Sequence, residues 1–149
     1  MVRVALANCQ RRNAVPLAWL RQVTTRAAER LRIRHEGVLA ISFIDDRTMG
    51  TLHGRFLGDS DPTDVLTFRY AEPLLVRGRV PKRARVLGEV LVSPAAARRY
   101  ARRHGVPYRE ELARYVIHGL LHWLGHEDRT LRQQRQMRTM EDAALRTCA

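Results

Sequence analysis

His118-Gly119-Leu120-Leu121-His122-Trp123-Leu124-Gly125-His126-Glu127-Asp128 decides how the rest of the chain is read. Residues four apart lie one above the other on a helix, so the imidazoles of His118 and His122 converge from one face. Gly125 ends that helix, because glycine takes the left-handed conformation that turns a chain back at little steric cost. The returning loop then brings Asp128 within reach as a third ligand. A bare histidine pair beside Leu120, Leu121, Trp123 and Leu124 would be read as packing on an amphipathic helix. The whole H-x3-H-x2-G-x2-D arrangement reads as a metal site, by ligand type and spacing. Three protein ligands leave one position of a tetrahedral zinc ion open, which marks a catalytic rather than a structural site. His126 is the alternative third ligand, but it follows Gly125 immediately and has one residue in which to return, so Asp128 is preferred.

The flanking sequence supplies a scaffold for that helix. Val2, Val4 and Leu6 alternate with polar or small residues and predict a first strand. Leu17, Leu20, Val23, Ala27, Ala28 and Leu31 follow helical spacing from about Val15 to Ile33, with Pro16 near the start. Val38 to Ile44 reads as a buried strand. Asp45 or Asp46 caps a short helix through Met49 and Leu52, which leads into the turn-rich loop Gly58 to Pro62. Asp64 to Phe68 and Val86 to Val92 read as two more strands, joined by a connection containing Arg77, Arg79, Lys82, Arg83 and Arg85. That connection is either a solvated loop or a contact for an RNA backbone. Helices are expected over Ala95 to His104, Tyr108 to Leu124 and Leu131 to Leu145, with a turn at Gly105-Val106-Pro107. The result is one α+β domain over residues 1–149, about four mixed strands packed with about five helices.

A chain of 149 residues buries roughly 70% of the surface it exposes unfolded, so no staples are needed for a core. Cys9 and Cys148 lie near opposite ends without CxxC spacing, which argues against a thiolate zinc site, gives no sign of a disulfide framework and points to reducing cytosol. No apolar run approaches the roughly 20 residues that span a bilayer, so a soluble cytoplasmic protein without membrane contact is expected. Lys and Arg number 27 against 15 Asp and Glu, a formal net charge of +12. Such a surplus favours polyanions, and nucleic acid is the expected partner through phosphate neutralisation. Lys82 is the only lysine; base composition of a genome explains a choice of Arg over Lys but not the surplus itself.

Leu52-His53-Gly54-Arg55-Phe56-Leu57, Asp61-Pro62-Thr63-Asp64-Val65-Leu66-Thr67-Phe68, Leu87-Gly88-Glu89-Val90-Leu91-Val92-Ser93 and the histidine motif together resemble the YbeY family of bacterial rRNA maturation endoribonucleases. The correspondence runs from about Ile41 to Asp128. The resemblance implies a small fold related to zinc-dependent hydrolases and one zinc per chain on His118, His122 and Asp128, with no small-molecule cofactor. It further implies cleavage of single-stranded RNA in small-subunit (16S) rRNA 3′-end maturation and ribosome quality control, with rRNA and the small ribosomal subunit as partners. The family usually has a third histidine where this chain has Asp128. The carboxylate lowers the formal site charge from +2 to +1, which implies a slower hydrolytic site. Leu57 stands where the family usually carries an arginine. Arg55 lies two positions earlier, roughly 200° round a helix, and His53 replaces a common asparagine.

Asp64 is read first as a strand-entrance residue, with a place at the rim of the metal cleft as its functional alternative. Glu127 neighbours the ligands, but the sequence identifies no general base. The motif also resembles that of certain zinc proteases, yet those carry glutamate where Gly119 stands, and glycine transfers no proton. A ribosome-associated assembly factor with a structural metal is the other alternative. The open coordination position argues against it.

Overall fold

The burial alternation of Gly37–Phe43, with Leu39, Ile41 and Phe43 fully enclosed, makes this strand the centre of the structure. In the computed structural model, residues 2–57, 64–70 and 85–148 are described. The elements in order are β1 (Val2–Asn8), α1 (Leu17–Arg30), β2 (Gly37–Phe43), α2 (Asp46–Leu57), β3 (Val65–Arg69), β4 (Val86–Val92), α3 (Pro94–His104), α4 (Tyr108–Trp123) and α5 (Leu131–Cys148). The sheet order is β1-β2-β4-β3, with β1, β2 and β4 parallel and β3 antiparallel to β4. The expected mixed four-stranded sheet with five helices is therefore the architecture found. The Gly58–Pro62 loop, the basic residues Arg77, Arg79, Lys82 and Arg83, and the side chain of Leu57 lie outside the described residues. No described helix is long and apolar enough to cross a membrane, and Cys9 is an exposed free thiol.

Helix boundaries differ from the sequence reading where the backbone supplies a stop. Pro16 caps α1 from outside rather than entering it, and the chain leaves the helix at Leu31 before Arg32 takes a φ of 55°. Asp45 caps α2 by accepting the Thr48 N–H at 2.7 Å, which frees Asp46 for another task. The Ser93 hydroxyl donates to Asp46 Oδ1 at 2.7 Å and also accepts the Ala96 N–H at 3.0 Å, capping α3. Arg99, two turns further along α3, pairs with the other Asp46 oxygen. Burial works against the Asp46 carboxylate, but Arg99 and Ser93 outweigh it and hold the group below the usual carboxylate range. Two helices are thus tied together at their N-terminal ends.

α4 runs through the interior against the sheet. Leu112, Ala113, Val116, Ile117, Leu120 and Leu121 are fully enclosed and pack with Leu39, Ile41, Val90 and Val92 in one cluster. Gly119 sets how closely the helix approaches: a Cβ there would lie 2.3 Å from Val90 Cγ1 and 3.3 Å from Val65 Cγ1. Helix propensity alone favours alanine over glycine by about 0.8–1.0 kcal/mol. Val90 is enclosed, so the clash cannot be relieved by a side-chain end swinging into water.

Overpacking costs about 1–3 kcal/mol. Gly119→Ala is therefore expected to lower the thermal midpoint of the metal-free protein, and the double variant with Val90→Ala to lose less than the sum of the two single changes. An unchanged or raised midpoint for Gly119→Ala would contradict this packing account.

Candidate metal centre

α4 ends in a way that positions its own histidines and the loop behind them. The Gly125 N–H donates to the His122 carbonyl at 2.9 Å and the His126 N–H to the Leu121 carbonyl at 3.0 Å. With Gly125 at a φ of 99°, these two bonds form a Schellman turn that reverses the chain. The turn leaves the His126 side chain exposed, beside Arg135 and Met140, and returns Asp128 to the helix face that carries His118 and His122. Glu127 is also exposed, its carboxylate 3.9 Å from Arg129. His53 and Arg55 sit on α2, and neither belongs to this cluster.

Three donor atoms converge. His118 Nε2 and His122 Nε2 are 3.1 Å apart, and Asp128 Oδ2 lies 3.4 Å from the first and 3.5 Å from the second. Two ligand atoms bound tetrahedrally to zinc stand about 3.3 Å apart, given bonds near 2.0–2.1 Å. Two ring nitrogens with lone pairs facing each other at 3.1 Å repel unless a proton or a cation lies between them. The donor set therefore fits a divalent ion. All three side chains keep roughly a quarter to two-fifths of their surface exposed, so the cluster opens to solvent on one side.

A fourth residue holds the cluster in place, and local spacing gave no hint of it. Glu141 Oε2 lies 2.7 Å from His118 Nδ1. An ionised carboxylate only accepts, so Nδ1 carries the proton and Nε2 keeps its lone pair aimed at the cluster. Glu141 Oε1 accepts from Arg114 Nη1 at 3.3 Å; Arg114 reaches Asp142 Oδ1 at 2.8 Å and approaches Glu111 Oε2 at 3.8 Å. Glu111, Arg114 and Glu141 are all buried. Burial pushes the Glu111 carboxyl above its ordinary range despite Arg114. Burial alone would lower the His118 pKa, but the Glu141 hydrogen bond and the charges of Glu141, Asp128 and Asp64 outweigh it and raise the value. The site attracts positive charge.

The sequence signal for Glu141 was a carboxylate on an apolar stripe, since Met137, Glu141 and Ala144 share one buried face of α5. Asp64 stands just before β3 and beside the cluster. Its carbonyl accepts the Ser93 N–H at 2.9 Å at the strand entrance, and the residue also lines the cavity beside His118 and Asp128. Gly119 carries no side chain at the position where a peptidase of this motif needs its glutamate.

A family model described as endoribonuclease YbeY matches residues 7–149. Endoribonuclease YbeY of Persephonella marina is 37% identical over 106 residues, covering 70% of this chain and 65% of the relative. That of Chlamydia caviae is 36% identical over 115 residues, covering 74% and 69%. The chain thus spans about two thirds of the length of these relatives. Endoribonuclease YbeY of Beutenbergia cavernae is 34% identical over 119 residues, covering 80% and 79%. The solution structure of a Thermotoga maritima protein, 22% identical, superposes with a TM-score of 0.61 over 99% of this chain and 89% of that one, and so shares the fold.

Removing the partner that orients a metal-binding histidine typically costs 10–100-fold in affinity. Glu141→Gln is expected to weaken zinc binding by about that factor, read by competition with a chelating dye. Affinity equal to that of the parent protein would show that His118 needs no such partner.

Proposed function

The chain belongs to the YbeY family, and from that premise we propose that it is a zinc-dependent endoribonuclease cutting single-stranded RNA in small-subunit (16S) rRNA 3′-end maturation and ribosome quality control, in the cytoplasm. The observation that carries the reading is the convergence of His118, His122 and Asp128 at tetrahedral spacing with one side open. Two imidazole nitrogens and a carboxylate oxygen suit zinc, one ion per chain. When bound, the ion supplies Lewis acidity toward the phosphodiester and activation of water.

The protein's own groups divide the remaining work. Glu141 holds the His118 tautomer, and Arg114 holds Glu141 from behind. The net charge of +12 draws the phosphate backbone of rRNA to the surface, an interaction that weakens as salt rises. Asp128 in place of a third histidine reduces the positive charge at the reacting phosphate. That exchange is expected to lower the rate.

A structural metal would leave the fold dependent on the ion. The main core, from Leu20 and Ile41 to Leu120 and Ala144, closes without any contribution from the cluster. Cleavage of a labelled single-stranded RNA is therefore expected to disappear in His122→Ala and on chelation, while the far-ultraviolet circular dichroism of the chelated protein is retained. Unfolding on chelation would instead mark an assembly factor with a structural ion. Asp128→His is expected to cleave faster than the parent, and activity no higher would sink the charge argument.

A further inference from the structure

A cavity of about 210 Å³ adjoins the cluster, walled by Tyr100 of α3, Tyr115 and His118 of α4, Met137 and Arg138 of α5, and Asp128. Resting on the reading of the site as a ribonuclease, we propose that this cavity seats one unstacked nucleobase of the RNA strand, with Tyr100 as its stacking platform and Arg103 as the grip on the neighbouring phosphate. The walls suit a base and not a phosphate. Tyr100 presents a partly exposed ring to the cavity, with the buried Tyr115 and Met137 as its apolar floor, and the carboxylates of Asp64, Glu111, Asp128 and Glu141 outnumber the guanidinium groups of Arg114 and Arg138, which disfavours an anion inside.

Tyr100 is held as a platform must be. Its ring stacks on His104 with centroids 4.0 Å apart and an angle of 29°. The helix beneath it is fixed at its start by the Ser93 cap and by the bridge from Arg99 to Asp46. Arg103 lies three residues after Tyr100, on the same face of α3. It is exposed, and it forms no ion pair among the described residues. Arg138 stands on the opposite wall, half exposed and 4.0 Å from Asp142. A strand whose base enters between these walls carries its phosphates across cationic side chains at the rim.

This seat accounts for a single-strand preference without any base-specific contact. A base in a duplex must first unpair and unstack at a cost in free energy, whereas an unpaired base enters freely. Its role is positioning: the base fixes the register of the strand, and the adjoining phosphodiester lies next to His118 and Asp128.

The test is fluorescence anisotropy of a labelled single-stranded RNA and of its duplex, using full-length protein carrying His122→Ala so that no cleavage intervenes. Tyr100→Leu, which keeps apolar bulk but removes the ring, is expected to bind the single strand roughly tenfold more weakly. Tyr100→Phe restores binding, and duplex affinity stays the same in all three. Arg103→Ala, at an exposed position that does not threaten folding, weakens single-strand binding and lowers the salt slope by about one. Single-strand affinity unchanged in both Tyr100→Leu and Arg103→Ala would overturn the proposal, as would an equal loss for duplex. Cleavage by protein with His122 intact separates the two readings. Activity with Tyr100-independent binding removes the base seat alone, and Tyr100-dependent binding without activity supports the seat while removing the nuclease.

Discussion

The Glu141 carboxylate is the contact on which the site depends. One oxygen fixes the His118 ring and the other takes the Arg114 guanidinium, so a single buried side chain of α5 joins a ligand to a charge network inside α4. Counted as ionised, Glu111, Asp128, Glu141 and Asp142 bring four negative charges to this region, against two positive charges on Arg114 and Arg138. Partly buried carboxylates in such excess are costly to keep charged unless a cation joins them. Burial would lower the His118 pKa, but the Glu141 hydrogen bond and the charges of Glu141 and Asp128 raise it, and the same negative charge suits the cluster to a divalent ion.

The same region shows why α4 is sequestered. It has to present two histidines at a fixed separation while its other faces carry the core, and Gly119 lets it lie directly on Val90. The Schellman turn at Gly125 then fixes the path to Asp128 in three residues. Placement of the third donor thus follows from backbone geometry more than from contacts of Asp128 itself. His126, in the middle of that turn, gives up its N–H to Leu121 and leaves its ring in solvent.

Much of this was readable in the chain. β2, β4 and α4 carry periodicities strong enough to place them within a residue or two, and the donor triad follows from helical spacing plus one glycine. What was not readable involves partners far apart in sequence. Glu141 stands 23 residues from His118, and Asp46 stands 47 residues from Ser93; no local pattern encodes either pair. The importance of Gly119 was visible only as the absence of a catalytic glutamate, whereas its packing role requires knowing that Val90 lies opposite. Boundary errors at α1 arose because Pro16 and Arg32 act through backbone angles rather than through hydrophobic spacing.

A centre with three protein donors and one open position differs spectroscopically from a structural one. Zinc K-edge X-ray absorption on the metal-loaded protein, with stoichiometry determined on the same sample, tests this most directly. One zinc per chain is expected, with two imidazoles and light oxygen donors in the first shell and no sulfur. Loss of one imidazole is expected in His122→Ala. A sulfur shell, a third imidazole, or less than one ion per chain would contradict the assignment of His118, His122 and Asp128 as the metal centre.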